Sequence, residues 1–141
     1  MLLRNSSIGR AKLPTTLRRP CYEEIGRYTC VVFMAQQAIE KIVKGLYVLF
    51  LEREPARTHN IWLVFNDFLE NEGVIMTADD VAKATKYKPF FSDLLFYYIS
   101  ERYPDYKQQL SSSVTETKAG EVLTETEEVY VWLLSLSRYK N

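Results

Sequence analysis

The chain has 141 residues, of which 47% are hydrophobic, so a single domain can bury a substantial core without disulfide or metal staples. Its 18 basic residues balance 18 acidic ones, which excludes a global electrostatic attraction to nucleic acid or to an anionic membrane. The sequence contains two cysteines, Cys21 and Cys30, one histidine, His59, and no apolar stretch near the ~20 residues that span a bilayer. These features predict a cytoplasmic protein with reduced thiols and without a structural metal, a cofactor or a membrane span.

Residues 1–21 form a basic segment that contains two prolines, Pro14 and Pro20. Because proline interrupts a helix interior, we predict that this segment is only partly helical. It carries five basic residues and no acidic one, so it is either a solvated tail or a weak, sequence-blind contact for RNA phosphates. A targeting role is a third interpretation. We predict that a helical domain follows over residues 22–138.

Residues 22–53 carry the strongest helical pattern in the chain. The polar side chains of its middle part lie on one side at helical spacing: Gln36, Gln37, Glu40, Lys41 and Lys44. Apolar residues surround this stripe between residues 31 and 50, and they cover more surface than one helix–helix contact needs. We therefore predict a central helix that is also buried in a homodimer.

A short amphipathic helix is predicted next. Pro55 is expected to end the central helix, and Thr58 is well suited to cap the helix that follows. Its apolar residues share one face, and Asn71 and Gly73 are expected to stop it.

The second half of the chain predicts further helices. Residues 77–80 resemble a helix-capping sequence, and Pro89 is expected to break or restart the helix that they begin, which gives one or two helical segments. That helix should end near residues 103–104, a polar loop should follow over 105–115, and a final helix should span 119–136. The aromatic residues between Phe90 and Tyr106 are interpreted as packing groups, in the core or between subunits. The predicted fold is all-α, an up-and-down bundle of four to five helices.

Three short segments resemble a known family. Residues 35–46 read AQQAIEKIVKGL, residues 58–61 read THNI, and residues 102–105 read RYPD. In this order they are similar to the AQQAxEK, TH and RYPD motifs of the HEPN family (higher eukaryotes and prokaryotes nucleotide-binding). Gly45 stands where that family usually has alanine, and Asn60 where it usually has aspartate.

The resemblance implies a domain that binds a nucleotide or RNA, forms a homodimer and works beside a minimal nucleotidyltransferase in a toxin-antitoxin-like module. The sequence has no phosphate loop or acidic metal triad, so nucleotidyl transfer would need that partner. The candidate ligand-binding residues are Gln37, Glu40, Lys41, Lys44, Arg57 and Arg102. A simpler interpretation is that those of the central helix form a solvated stripe or hydrogen-bond at a helix contact, and that Arg102 pairs with Asp105 or covers apolar surface with its stem.

A second hypothesis is a metal-independent ribonuclease with Arg53 and His59 as its catalytic pair. Catalytic HEPN proteins are similar in carrying an arginine shortly before a histidine, and here five residues separate the two. Such a histidine exchanges a proton with the ribose 2′-hydroxyl or the leaving oxygen, while the arginine holds the phosphate. Pro55 lies between them, and the family pair usually occurs later in the fold. A structural oligomer without a ligand is the third hypothesis.

Overall fold

The computed structural model describes residues 27–140, and its regular elements are all helical. Along this part of the chain there are five α-helices and a closing 3-10 helix: α1 (Arg27–Leu51), α2 (Ile61–Leu69), α3 (Ala78–Arg102), α4 (Pro104–Ser113), α5 (Glu116–Ser135) and Leu136–Tyr139. This confirms the predicted all-α fold. The predicted basic segment of residues 1–21 and the predicted start of the central helix at residue 22 lie outside the described residues. None of the helices between residues 27 and 140 is long and apolar enough to cross a membrane.

α1 is the central helix of the bundle, because it packs against α5, α2 and α3. Its innermost side chains recur at helical spacing and are at most 1% exposed: Val32, Ile39 and Val43. Complete burial of an aliphatic side chain of this size contributes about 1.5–3 kcal/mol. This face therefore holds the other helices together.

The connection between α1 and α2 differs from the prediction. α1 ends before Pro55 is reached, because Glu52 adopts a φ of 53° and this left-handed backbone cannot continue the helix. The residue that caps α2 is Asn60 rather than Thr58, since the Asn60 side chain accepts a backbone N–H of the first turn. Thr58 instead accepts the N–H of Asn60 at 3.1 Å and so shapes the turn that carries His59.

α3 runs through Pro89, so the predicted break at that residue is wrong. Proline has no N–H, which leaves the carbonyl of Thr85, one turn earlier, without its usual helical partner. Both residues are exposed, so water can bind that carbonyl. Tyr87 and Phe91, on either side of the proline, are buried and keep the helix on the core. α3 ends at Arg102, close to the predicted end.

The predicted loop over residues 105–115 is wrong, because most of these residues belong to α4. Pro104 lies in the first turn, where a residue without an N–H is tolerated, and Asp105 adds a negative charge where the helix dipole favours it. Leu110 is 2% exposed and attaches this polar helix to the core. One buried residue in a polar segment gives too weak a periodicity to predict a helix.

The last helix confirms its prediction, and its end is tied to the start of α3. Thr115 caps α5 through its side chain. Asp80, which is 3% exposed, accepts hydrogen bonds from Trp132 Nε1 at 3.0 Å, from Arg138 Nη2 at 2.6 Å and from the Tyr139 hydroxyl. These donors satisfy a carboxylate that would otherwise be costly to bury.

Candidate functional site

Polar side chains of α1 form a hydrogen-bonded row on one side of the helix. Gln36 is 0% exposed and Glu40 is 9% exposed, so a solvated surface is wrong for these two residues, and the other simple interpretation, hydrogen bonding at a helix contact, describes them. Gln36 Nε2 donates to Glu40 Oε1 at 2.6 Å, and Lys44 Nζ donates to Glu40 Oε2 at 3.0 Å. The spacing of four residues brings the three side chains together on the helix surface. Mutual hydrogen bonding is what permits their burial.

His59 reaches this row from the turn before α2. Its Nδ1 atom lies 3.1 Å from each carboxylate oxygen of Glu40. Its ring stacks on Tyr98 of α3, with the ring centroids 4.1 Å apart and the planes at 26°. The side chain of His59 nevertheless stays 48% exposed. Since Nδ1 faces Glu40, Nε2 is the nitrogen that remains for a ligand.

Arg102 joins the same group through Tyr98. Its Nη1 atom donates to the Tyr98 hydroxyl at 2.9 Å, and its guanidinium carbon lies 5.2 Å from the centre of that ring. Among the side chains that the structure describes, no carboxylate forms an ion pair with Arg102, so Arg102 does not pair with Asp105, one of its two simpler interpretations. A guanidinium has five N–H donors, and most of those of Arg102 therefore remain open to a ligand.

We call these six residues the His59 cluster: Gln36, Glu40, Lys44, His59, Tyr98 and Arg102. Burial raises the pKa of Glu40, but hydrogen bonds from Lys44, His59 and Gln36 together outweigh it, and the pKa lies below its ordinary value. Glu40 is therefore ionised at neutral pH, and Lys44 balances its charge. Arg102, with which no described carboxylate pairs, hydrogen-bonds to Tyr98, and the imidazole that Glu40 orients stacks on the same Tyr98 ring. Such a pair can bind a phosphate group or exchange a proton with one of its oxygens.

The remaining predicted ligand-binding residues lie at the margin of the His59 cluster or apart from it. Gln37 borders it, because its Nε2 donates to Gln36 Oε1 at 2.6 Å. Lys41 is exposed on α1. Arg57 is exposed in the turn before α2 and forms no ion pair within residues 27–140.

Arg53 belongs to a different group of side chains. Its Nε atom donates to the Tyr47 hydroxyl at 3.2 Å, and that hydroxyl donates to Asp67 Oδ2 at 2.7 Å. Arg53 thereby links the segment after α1 to α2. No hydrogen bond joins Arg53 and His59 in the described part of the chain, and the two predicted catalytic residues are engaged with different partners.

Two members of the His59 cluster were absent from the predicted site, Gln36 and Tyr98. Tyr98 precedes Arg102 by four residues, so helical spacing was a signal that the two side chains could meet. The contact of Tyr98 with His59 had no such signal, because it joins α3 to a turn far away in the sequence. Gln36 and Gln37 are adjacent in the same motif. They differ in burial, because Gln36 is buried and Gln37 is partly exposed, and the sequence gives no signal for that difference.

Comparison with known proteins gives one match. Residues 21–136 match the family model of the HEPN domain. Neither a search of curated proteins nor a search of solved structures finds a match. The matched range contains all three motifs and every residue of the His59 cluster.

Proposed function

The chain belongs to the HEPN domain family, and on that premise we propose that it is a cytoplasmic nucleotide- or RNA-binding subunit whose ligand site is the His59 cluster. Membership of this family indicates a nucleotide- or RNA-related function. The observation that carries the proposal is that two groups both contact Tyr98: the guanidinium of Arg102, with which no described carboxylate pairs, and the imidazole of His59, whose Nδ1 faces Glu40. Both groups hydrogen-bond to phosphate oxygens, and Glu40 and Tyr98 hold them in place before a ligand arrives.

Calorimetric titration with ATP and with oligouridine RNA at physiological salt tests this proposal. We expect Arg102→Ala and His59→Ala each to weaken binding by about tenfold, the loss typical of one charge-assisted hydrogen bond. Lys83→Ala is the matched control, because Lys83 is an exposed cation elsewhere on α3. The proposal fails if the unmodified chain binds neither probe, or if the two cluster variants bind as tightly as Lys83→Ala.

We also propose a protein partner, a minimal nucleotidyltransferase encoded beside this chain in a toxin-antitoxin-like module. The support is the resemblance in the three motifs, together with the lack of a phosphate loop and of an acidic metal triad in the sequence. The product of the neighbouring open reading frame should therefore contain that triad and copurify with this chain after co-expression. A neighbour of another class, or one that does not copurify, would exclude the module.

A homodimer is the proposed assembly, through the outward face of α1. Three large apolar side chains are 44% to 47% exposed there: Met34, Val48 and Leu49. A Cβ atom at Gly45, between them, would meet nothing within 4 Å, which leaves room for a second helix. Light scattering should give twice the 16.5 kDa mass of the chain, and Val48→Lys should shift the protein to monomer. Val131→Lys, at an exposed position of α5, should leave the mass unchanged.

The alternative function is a metal-independent ribonuclease that uses Arg53 and His59. The observation in its favour is that Glu40 orients the His59 ring, as an acid–base histidine requires. Incubation of structured RNA with the protein in EDTA tests it. Cleavage that is lost in both His59→Ala and Arg53→Ala would support this alternative, whereas cleavage that survives Arg53→Ala would remove Arg53 from the mechanism.

A further inference from the structure

One face of α3, next to the His59 cluster, combines cations with exposed aromatic rings. Its residues recur at spacings of three and four, which places them on one side of the helix: Lys88, Ser92, Leu95, Phe96, Ile99 and Arg102. Phe96 is 59% exposed, and Tyr103, directly after the helix, is 55% exposed. None of these six positions is acidic, and the exposed Asp93 lies one helical turn before Phe96 at the edge of the face. The prediction that these aromatic residues pack in the core is therefore wrong for Phe96 and Tyr103, whereas packing between subunits stays a prediction.

α2 adds a further aromatic ring to this face. The Trp62 ring stacks on Phe91 with the planes at 28°, and the Nζ atom of Lys88 lies 5.1 Å from the Trp62 ring centre. Trp62 is only half-buried, and Lys88 is exposed, so a ligand can displace the lysine from the ring. Phe91 and Tyr98 lie two helical turns apart on α3. Trp62 stacks on Phe91, and His59 stacks on Tyr98. A cation therefore lies against an aromatic ring at each end of the face, Lys88 against Trp62 and Arg102 against Tyr98.

The length and charge of this face decide what it fits. Lys88 and Arg102 are separated along α3 by ~21 Å, at ~1.5 Å of rise per residue. A mononucleotide cannot contact both ends, whereas an extended single strand of RNA presents phosphates at intervals and bases between them. A second copy of the chain fits less well, because a two-fold interface would bring Lys88 and Arg102 of one copy against the same cations of the other. An extended polyanion that carries planar bases matches both the length of the face and its combination of cations with exposed aromatic rings.

We infer that this face is a binding track for single-stranded RNA, formed by Trp62, Lys88, Phe96, His59, Arg102 and Tyr103. The inference rests on the proposed function and deepens it, because it extends a phosphate site at the His59 cluster into a longer strand-binding surface. Lys88 and Arg102 contact backbone phosphates, and the exposed rings of Phe96 and Tyr103 stack on bases. Since every base has a flat face, the track binds with little sequence preference.

Fluorescence anisotropy with labelled oligouridine RNA, together with calorimetry on ATP, tests the track. We expect Phe96→Ser and Lys88→Glu each to lower the ratio of RNA affinity to ATP affinity by about tenfold. Lys88→Glu should also flatten the dependence of RNA binding on salt by about one phosphate contact. Lys83→Glu makes the same charge change on another face of α3 and should not alter the ratio. Phe96 is exposed, so its replacement does not disturb the core.

Three results would overturn the track. The first is a ratio of RNA affinity to ATP affinity that is unchanged in Phe96→Ser and Lys88→Glu. If ATP binding still depends on His59, that result rejects the track but not the proposed function. The second is an acidic peptide that competes with RNA at equal concentration, which would assign the face to a protein partner. The third is the absence of RNA binding by the unmodified chain, and if ATP binding is absent as well, the proposed function fails with it.

Discussion

Glu40 and His59 join two of the three sequence motifs, with His59 Nδ1 placed 3.1 Å from both carboxylate oxygens of Glu40. The contact connects the central helix to the turn before α2. Tyr98 then connects that turn to α3, because it stacks on His59 and accepts a hydrogen bond from Arg102. Motifs that are distant in the sequence therefore meet in a single cluster.

Replacement of Glu40 by alanine should destabilise the fold as well as weaken ligand binding. The variant removes the acceptor of buried Gln36 and of Lys44, and an unsatisfied buried polar group costs about 1–3 kcal/mol. Chemical denaturation should show this loss in the free energy of unfolding. Glu127→Ala, at an exposed position of α5, is the control and should change that free energy by less than about 0.5 kcal/mol. Equal stability of the two variants would contradict the buried role of Glu40.

Asp80→Asn should be far more disruptive than the same change at its neighbour. The Asp80 side chain is 5% exposed and accepts from Trp132 and Arg138, whereas the Asp79 side chain is 83% exposed. An amide has one acceptor oxygen in place of two, so at least one donor loses its partner, at a cost of about 1–3 kcal/mol. Thermal unfolding should therefore occur at a lower temperature in Asp80→Asn than in Asp79→Asn. Similar midpoints for the two variants would argue against the network.

Acid should unfold the protein partly through Asp80. The hydrogen bond from Tyr139 outweighs burial and, with those from Trp132 and Arg138, lowers the pKa of Asp80 to about 2 from an ordinary value of 3.8. The unfolded chain then binds the proton more tightly, so the stabilisation is complete above the unfolded pKa and is lost as the pH falls through about 2. Between neutral pH and pH ~2 the unfolding free energy should fall by on the order of 1–2 kcal/mol more in the unmodified chain than in Asp80→Asn. Parallel pH profiles would refute this assignment.

Alanine at Gly45 should stabilise the folded chain. Nothing lies within 4 Å of a Cβ atom at Gly45 or at Gly120, and both residues are inside helices. Glycine costs about 1 kcal/mol relative to alanine in a helix interior, so each variant should gain about 0.5–1 kcal/mol in the unfolding free energy of the monomer, measured below the concentration at which the proposed homodimer forms. Analytical ultracentrifugation separates the two sites, because only Gly45→Ala should weaken the proposed homodimer. A loss of stability in both variants would show that their helices are packed more closely than the distances indicate.

Asn60 should tolerate aspartate but not alanine. Its side chain accepts the N–H of Leu63 at 3.2 Å, and aspartate caps a helix about equally well. Asn60→Ala should lower the free energy of unfolding by about 1 kcal/mol, and Asn60→Asp should leave it nearly unchanged. Denaturant titration of both variants checks this. A destabilised Asn60→Asp would mean that a negative charge beside His59 and Glu40 is not tolerated there.

Several errors in the predicted fold share one cause. Pro89 was expected to break α3, and the polar residues after Pro104 were expected to form a loop. In both places local propensity favoured an interruption, but contacts with distant core residues compensate for it. The flanking Tyr87 and Phe91 hold α3, and Leu110 holds α4. Propensity is a local quantity, and the free energy that overrides it comes from burial against other helices.

The sequence by itself determined the helical class, the apolar face of the central helix and the three motifs that indicate the family. It could not determine that Gln36 and Glu40 are buried, that His59 stacks on Tyr98, or that Arg102 contacts this same tyrosine whereas Arg53 contacts Tyr47. Helical periodicity assigns a side chain to a face of its own helix, but another helix decides whether that face is covered. The candidate site depends on contacts between α1, the turn before α2, and α3, and only the tertiary structure could decide these.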